Sequence, residues 1–177
     1  GCKDNRIAEN HLYDLGAGGI RLGDGGIAGT EAAHTAGNLV HSNFIHDSGI
    51  LFYGAIGVWI GQSSDNVVAH NEICDQNYTA ISCGWTWGYG PTKAHRNRIE
   101  YNYLHHLGRG KLCDMGAIYT LGTSPGTVIR GNLMHDVWDW EEGYGAGGIY
   151  PDEGSSQILI ENNVVYRTAS GGLTVHY

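Results

Sequence analysis

The chain has 177 residues, with 29 glycines, three prolines and a formal net charge of 10 − 18 = −8. That length suffices for one domain with its own core, but no apolar run approaches the roughly 20 residues needed to span a bilayer. The few cations leave little material for the basic face of a nucleic-acid binder, so neither nucleic acid nor membrane is an expected partner.

Glycine is used at about twice its usual share of roughly 7% but without an every-third-residue period, which excludes collagen and points to many tight turns. Cys2, Cys74, Cys83 and Cys113 form no close C-x-x-C pair, which argues against a zinc knuckle, and free or partly buried thiols are expected.

Taken in chain order, short apolar segments repeat around asparagines. Ile7, Asn10 and Leu12 are followed by Ile20-Arg21-Leu22. The pattern returns as Val40, Asn43, Ile45 with Val58-Trp59-Ile60, and as Val68, Asn71, Ile73 with Ile81-Ser82-Cys83. It continues as Ile99, Asn102, Leu104 with Ile118-Tyr119-Thr120, and as Ile129, Asn132, Met134 with Ile149-Tyr150-Pro151. The last copy reads Leu159, Asn162, Val164 with Leu173-Thr174-Val175. The asparagines lie 33, 28, 31, 30 and 30 residues apart. A second polar series, Asn5, Asn38, Asn66, Asn97, Thr127 and Gln157, sits five residues before them.

The period inside each unit is 2, the signature of strands, and no segment carries a helical stripe. A unit of two or three short strands cannot bury its own apolar face, whereas stacked copies can. The expected fold is therefore all-β: a single-stranded right-handed parallel β-helix, a pectate-lyase-like solenoid of about six coils over residues 1–177. At about 4.8 Å per coil the rod is roughly 29 Å long. Neither end reads as a polar cap, so the chain is expected to be a fragment of a longer solenoid, and a monomer is the expectation.

Three segments interrupt the repeat: 84–91, 108–114 and 137–144, the last containing Glu141, Glu142 and Gly143. The first and third carry Trp85, Trp87, Trp138 and Trp140. These aromatics either stack on sugar rings or pack their own loops. The outward positions of the last strand in each unit, Arg21, Trp59, Ser82, Tyr119, Tyr150 and Thr174, would form a groove floor.

Asp14, Asp47, Asp75 and Asp136 recur four residues after an anchor asparagine, so they read as structural. Asp114 and Asp152 break the repeat beside the aromatic loops. They are the candidates for the two carboxyl groups that glycoside hydrolysis requires. A straight strand would hold them about 23 Å apart, so their convergence demands a sharp turn near Gly116. His176 shares Asp152's offset one coil later and should lie beside it. His46, Cys74, His105 and His135 also share one offset. Metal ligation is conceivable there, but an exposed stacked ladder is the expectation.

The run Asp114-Met115-Gly116-Ala117-Ile118-Tyr119-Thr120-Leu121-Gly122, with Pro125-Gly126-Thr127-Val128-Ile129-Arg130, resembles glycoside hydrolase family 141. Tyr150-Pro151-Asp152-Glu153-Gly154-Ser155-Ser156, Ile160-Glu161-Asn162-Asn163, Ser170-Gly171-Gly172 and Ile81-Ser82-Cys83-Gly84-Trp85-Thr86-Trp87 extend the likeness. The resemblance implies hydrolysis of plant cell-wall glycans, with fucosidase- or xylanase-like activity. It places the catalytic pair on Asp114 and Asp152, and implies a secreted or periplasmic bacterial enzyme. Substrate contacts are expected from Trp59, Trp85, Trp87, Tyr119, Trp138, Tyr150, Glu153 and His176, without a metal or cofactor. The family's His-x-His-Tyr run appears here as Thr174-Val175-His176-Tyr177, lacking the first histidine. The competing readings are a polysaccharide lyase using Arg109 or Lys111 as base, and a non-catalytic glycan-binding solenoid.

Overall fold

Three residues in every coil adopt left-handed backbone, and they set its bends. The first position is filled by Asp4, Gly37, Asp65, Arg96, Gly126 and Gln157, the second by Glu9, Ser42, His70, Tyr101, Gly131 and Asn162. The third is filled by Asp14, Asp47, Asp75, His106, Asp136 and Arg167, with φ across all eighteen between 47° and 75°. Most are Asp, Asn, Gly or His, the types that enter this region at least strain. The repeated aspartates are thus structural because of their backbone.

In the computed structural model, which describes residues 1–140 and 144–176, strands run between these bends. Glu141, Glu142, Gly143 and Tyr177, named above, lie outside the described residues. Sheet one contains β1 (Arg6–Ala8), β4 (Leu39–His41), β7 (Val67–Ala69), β10 (Arg98–Glu100), β13 (Thr123–Arg130) and β16 (Ser156–Glu161). Sheet two contains β2 (His11–Leu15), β5 (Phe44–Ser48), β8 (Glu72–Gln76), β11 (Tyr103–Leu107), β14 (Leu133–Val137) and β17 (Val164–Thr168). Sheet three contains β3 (Ile20–Leu22), β6 (Val58–Ile60), β9 (Ile81–Cys83), β12 (Met115–Thr120) and β15 (Ala146–Pro151).

Each strand pairs in parallel with its counterpart one coil away, giving a three-sided parallel β-helix. The sixth coil adds only a bridge from Leu173 to Ile149 on sheet three, so five coils are complete and the sixth is partial. A 3-10 turn at Glu31–Ala33 is the one helical element among the described residues. The core is a stack of alternating inward residues, including Val40, Ile45, Val58, Ile73, Ile81, Ile99, Leu104, Ile118 and Met134, all fully buried. Packed side to side from coil to coil, they supply the apolar burial that no single coil achieves.

Two amide ladders run beside that core. The backbone N–H and Nδ2 of Asn10 both donate to Oδ1 of Asn43, at 3.1 and 2.9 Å. The same pair of bonds links Asn43 to Asn71, Asn71 to Asn102, and Asn102 to Asn132. The last rung is Asn132 to Asn163, not Asn162, at 3.0 and 2.9 Å. Asn162 is instead the left-handed residue that precedes the rung. The final coil is therefore one residue out of the expected register: Ile160 and Val165, rather than Leu159 and Val164, pair with Ile129 and Met134. The other ladder runs Asn5, Asn38, Asn66, Asn97 and Thr127. Gln157 does not extend it, because Ile158 pairs with Thr127 and Gln157 takes the bend before it.

This register gives a test. Asn163→Ala removes the acceptor of two bonds, whereas Asn162→Gly keeps the left-handed bend. Asn163→Ala should lower stability to urea by about 1–3 kcal/mol, and Asn162→Gly should be near neutral. The opposite order would place the rung at Asn162.

Candidate active-site groove

The outer face of sheet three presents Arg21, Trp59, Ser82, Tyr119 and Tyr150 in one registered row. Their strand neighbours Val58, Ile81, Ile118 and Ile149 point into the core, which fixes the row outward. The chain between sheets two and three borders one edge of this face, and the chain leaving sheet three borders the other. Asp114 lies on the first edge, just before β12, and Asp152 on the second, just after β15.

What brings them together is a fold in β12. Pairing with β15 runs through Met115 and Gly116, skips Ala117 and resumes at Ile118. A Cβ on Gly116 would stand 2.7 Å from the carbonyl oxygen of Ile118 and 3.0 Å from Tyr150 Cβ. In an extended strand these two residues would be far apart, so the chain doubles back here, and only glycine fits. Asp114 itself is left-handed, with φ 56°.

The result is a cavity of about 300 Å³ lined by Trp87, Asp114, Tyr144, Tyr150, Asp152, Glu153 and His176. The Tyr119 hydroxyl donates to Oδ2 of Asp152 from beneath. His176 Nδ1 is 2.8 Å from Oδ1 of the same carboxylate, one coil along. The Asp152 backbone is fixed by its N–H to the Thr120 carbonyl at 3.0 Å and by the Ser155 N–H at 2.8 Å. The Tyr150 hydroxyl lies near enough to the Asp114 carboxyl to lower its pKa, and the Tyr78 hydroxyl donates to the Asp114 carbonyl at 2.7 Å. The Tyr119 and Tyr150 rings meet edge to face at 5.5 Å, so one tyrosine pair stands beside both carboxyl groups.

These surroundings favour a proton on Asp114. Burial raises its pKa first, the charge of Asp152 adds to that, and the Tyr150 hydroxyl and His176 oppose it. Burial, followed by the neighbouring carboxylates, pushes the Tyr119 and Tyr150 hydroxyls far above their ordinary range, so both remain donors. Tyr78 is pushed up to about 12 by burial and then by Asp114.

Of the residues expected to contact substrate, Trp87, Tyr150, Glu153 and His176 line this cavity with the two aspartates. Tyr119 supports it from below. Trp59 and Trp85 line an adjoining cavity of about 390 Å³ with Arg21 and Ile56. Trp85 joins the two, its ring 5.1 Å from both Trp59 and Trp87. Trp138 is exposed and does not line this cavity. Its backbone continues sheet-two pairing, with the Trp138 N–H on the Leu107 carbonyl at 2.9 Å. Val137 therefore points inward and Trp138 outward, and its loop lines the cavity through Tyr144 instead. Sequence reasoning missed Tyr78 and Tyr144. Tyr144 lies in a segment already marked as an interruption; Tyr78 carried no signal. A larger cavity, about 1060 Å³, lies at the first coil around Ile7, Leu22 and Asn38, and its lining includes neither aspartate.

A family model described as "Right handed beta helix region" matches residues 1–177. The chain belongs to the right-handed β-helix family. A solved structure named "Glycoside hydrolase" is similar, with a TM-score of 0.77 at 22% identity, covering 97% of this chain and 32% of that one. This β-helix thus spans about a third of that protein's length, and at such identity the likeness shows the fold alone. No curated protein matches the chain in sequence.

The coupling of the two acids in this β-helix is measurable. Asp152→Asn removes a negative charge that raises Asp114 but leaves its burial. The Asp114 pKa, followed by carboxyl ¹³C NMR, should fall yet stay above the ordinary value. An unchanged titration would mean the groups do not share a site. A carboxyl with a raised folded-state pKa opposes folding above that pKa, and the opposition vanishes below the unfolded value. Asp114→Asn, which also tolerates left-handed backbone, should therefore raise the Tm at pH 7 and not at pH 3.

Proposed function

We propose that this chain carries the active-site groove of a glycoside hydrolase, similar to family 141, acting on plant cell-wall glycans with fucosidase- or xylanase-like specificity. The observation that carries this reading is the convergence of Asp114 and Asp152 on one cavity, in surroundings that favour a proton on Asp114. Asp114, with its raised pKa, protonates the departing glycosidic oxygen. Asp152, held by Tyr119 and His176, acts as the nucleophile or activates water. Trp87, with Trp85 and Trp59 behind it, gives sugar rings flat apolar faces. Glu153 and Tyr144 offer polar contacts at the rim. The reading places the protein outside the bacterial cytoplasm, working as a monomer without a metal in this groove.

The geometry favours hydrolysis over lyase chemistry. Arg109, the candidate lyase base, reaches Oδ1 of Asp47 and the Asp75 carbonyl, both at 3.3 Å. Lys111 lies 5.7 Å over the Tyr53 ring. Neither lines the cavity between the aspartates.

Reducing-sugar release from xylans and fucosylated cell-wall glycans tests the proposal. Asp114→Asn and Asp152→Asn should each lower turnover by about 10²–10⁴-fold with the fold intact. The alkaline limb of the pH–rate profile should lie above the ordinary carboxylate range and disappear in Asp114→Asn, because that limb is loss of the acid's proton. Full activity in either variant, or unsaturated products, would contradict the assignment.

A further inference from the structure

The outer face of sheet two carries chemistry that the groove does not use. Its third strand positions, Tyr13, His46, Cys74, His105, His135 and Tyr166, stand in register down the rod. Rings stack over parts of this row: His105 on His135 at 5.3 Å and His135 on Tyr166 at 4.7 Å. Cys74 interrupts the stack. His46, one coil before it, turns away to His11 at 2.7 Å and Asp47 at 2.8 Å. His105, one coil after it, turns its Nε2 to within 3.2 Å of Glu72 Oε1.

Glu72 and Cys74 are two apart on β8 and share its outer face, while His105 is opposite Cys74 on β11. A carboxylate oxygen, the Cys74 sulfur and an imidazole nitrogen of His105 all lie within 4.8 Å of one another. We propose that Glu72, Cys74 and His105 form a binding site for a zinc-class transition-metal ion.

Two ligands from one strand and a third from its neighbour supply three corners of a tetrahedron. Ligand bonds of about 2.0–2.3 Å place such atoms roughly 3.3–3.8 Å apart, within side-chain adjustment of the present geometry. The donor set decides the ion class: thiolate, imidazole and carboxylate together suit a borderline-soft ion and not the all-oxygen preference of calcium or magnesium. The Glu72 side chain is 45% exposed, so a fourth position opens to water. Burial pushes the Cys74 thiol up to about 12, which works against binding, and the charge of the ion must offset it. Such an ion would tie β8 to β11, at the coil from which segment 108–114 leads to Asp114. It lies on a different sheet from the groove and supplies none of its chemistry.

The test is titration of residues 1–177 with Zn²⁺ by calorimetry and with Co²⁺ by absorption. The expected result is one ion per chain, a thiolate-to-cobalt charge-transfer band and a higher Tm with Zn²⁺. Cys74→Ser should abolish the band and weaken Zn²⁺ binding at least about 100-fold. Glu72→Gln, at a half-exposed position where folding is not at stake, should weaken it about tenfold. Asp114→Asn and Asp152→Asn should leave it unchanged. No saturable binding, a cobalt spectrum without the thiolate band, binding undiminished in Cys74→Ser, or binding lost in Asp114→Asn would each overturn the proposal.

Discussion

The amide ladder is the interaction on which the rest of the molecule depends. At each sharp bend between sheets one and two the chain goes left-handed, and the next residue would bury its backbone N–H without a strand partner. The asparagine Oδ1 one coil on accepts that N–H together with the side-chain Nδ2, as Asn102 does for Asn71 at 3.0 Å in both bonds. The Asn102 Nδ2 also reaches back to the Val68 carbonyl at 2.9 Å. A buried unsatisfied group is worth about 1–3 kcal/mol against folding, so the ladder fixes both the rise and the register of successive coils. Sheet three inherits that register, which is why residues about 30 apart in sequence, such as Tyr119 and Tyr150, stand side by side.

That inheritance explains what the sequence makes legible. A residue and its counterpart one coil later differ only by a strand spacing, so the contact of Asp152 with His176 follows from their shared offset. The last rung was harder to read. Asn162 and Asn163 are equally good amides, and the choice between them turns on which one occupies the left-handed bend, a backbone property that composition does not carry. The placement of Trp138 turns on a related property: the left-handed Asp136 resets the alternation, sending Val137 inward and Trp138 outward. Tyr78 anchors Asp114 from the corresponding bend of the previous coil, through a hydroxyl whose reach no spacing rule describes. On sheet two, the common offset of Cys74 and His105 is visible in the sequence, but Glu72 joins them only once the turn of His105 is seen.

The groove follows from local departures superimposed on this regular rod. Gly116 lets β12 double back, and the aspartate before it swings over the same sheet face that Asp152 reaches from the far edge. Without that fold the carboxyls would sit at opposite edges of the sheet. The loops then add the indoles of Trp85 and Trp87, at positions that the core does not need. A uniform scaffold thus holds a non-uniform site, and the departures from the repeat are where the chemistry collects.

The measurement that tests the central claim most directly is a turnover comparison of Asp114→Asn, Asp152→Asn and the double variant. If the two carboxyls act on one bond as a unit, the double variant should be little slower than the slower single, because neither group helps without its partner. Losses that multiply would show two groups acting independently and would contradict the shared-site account.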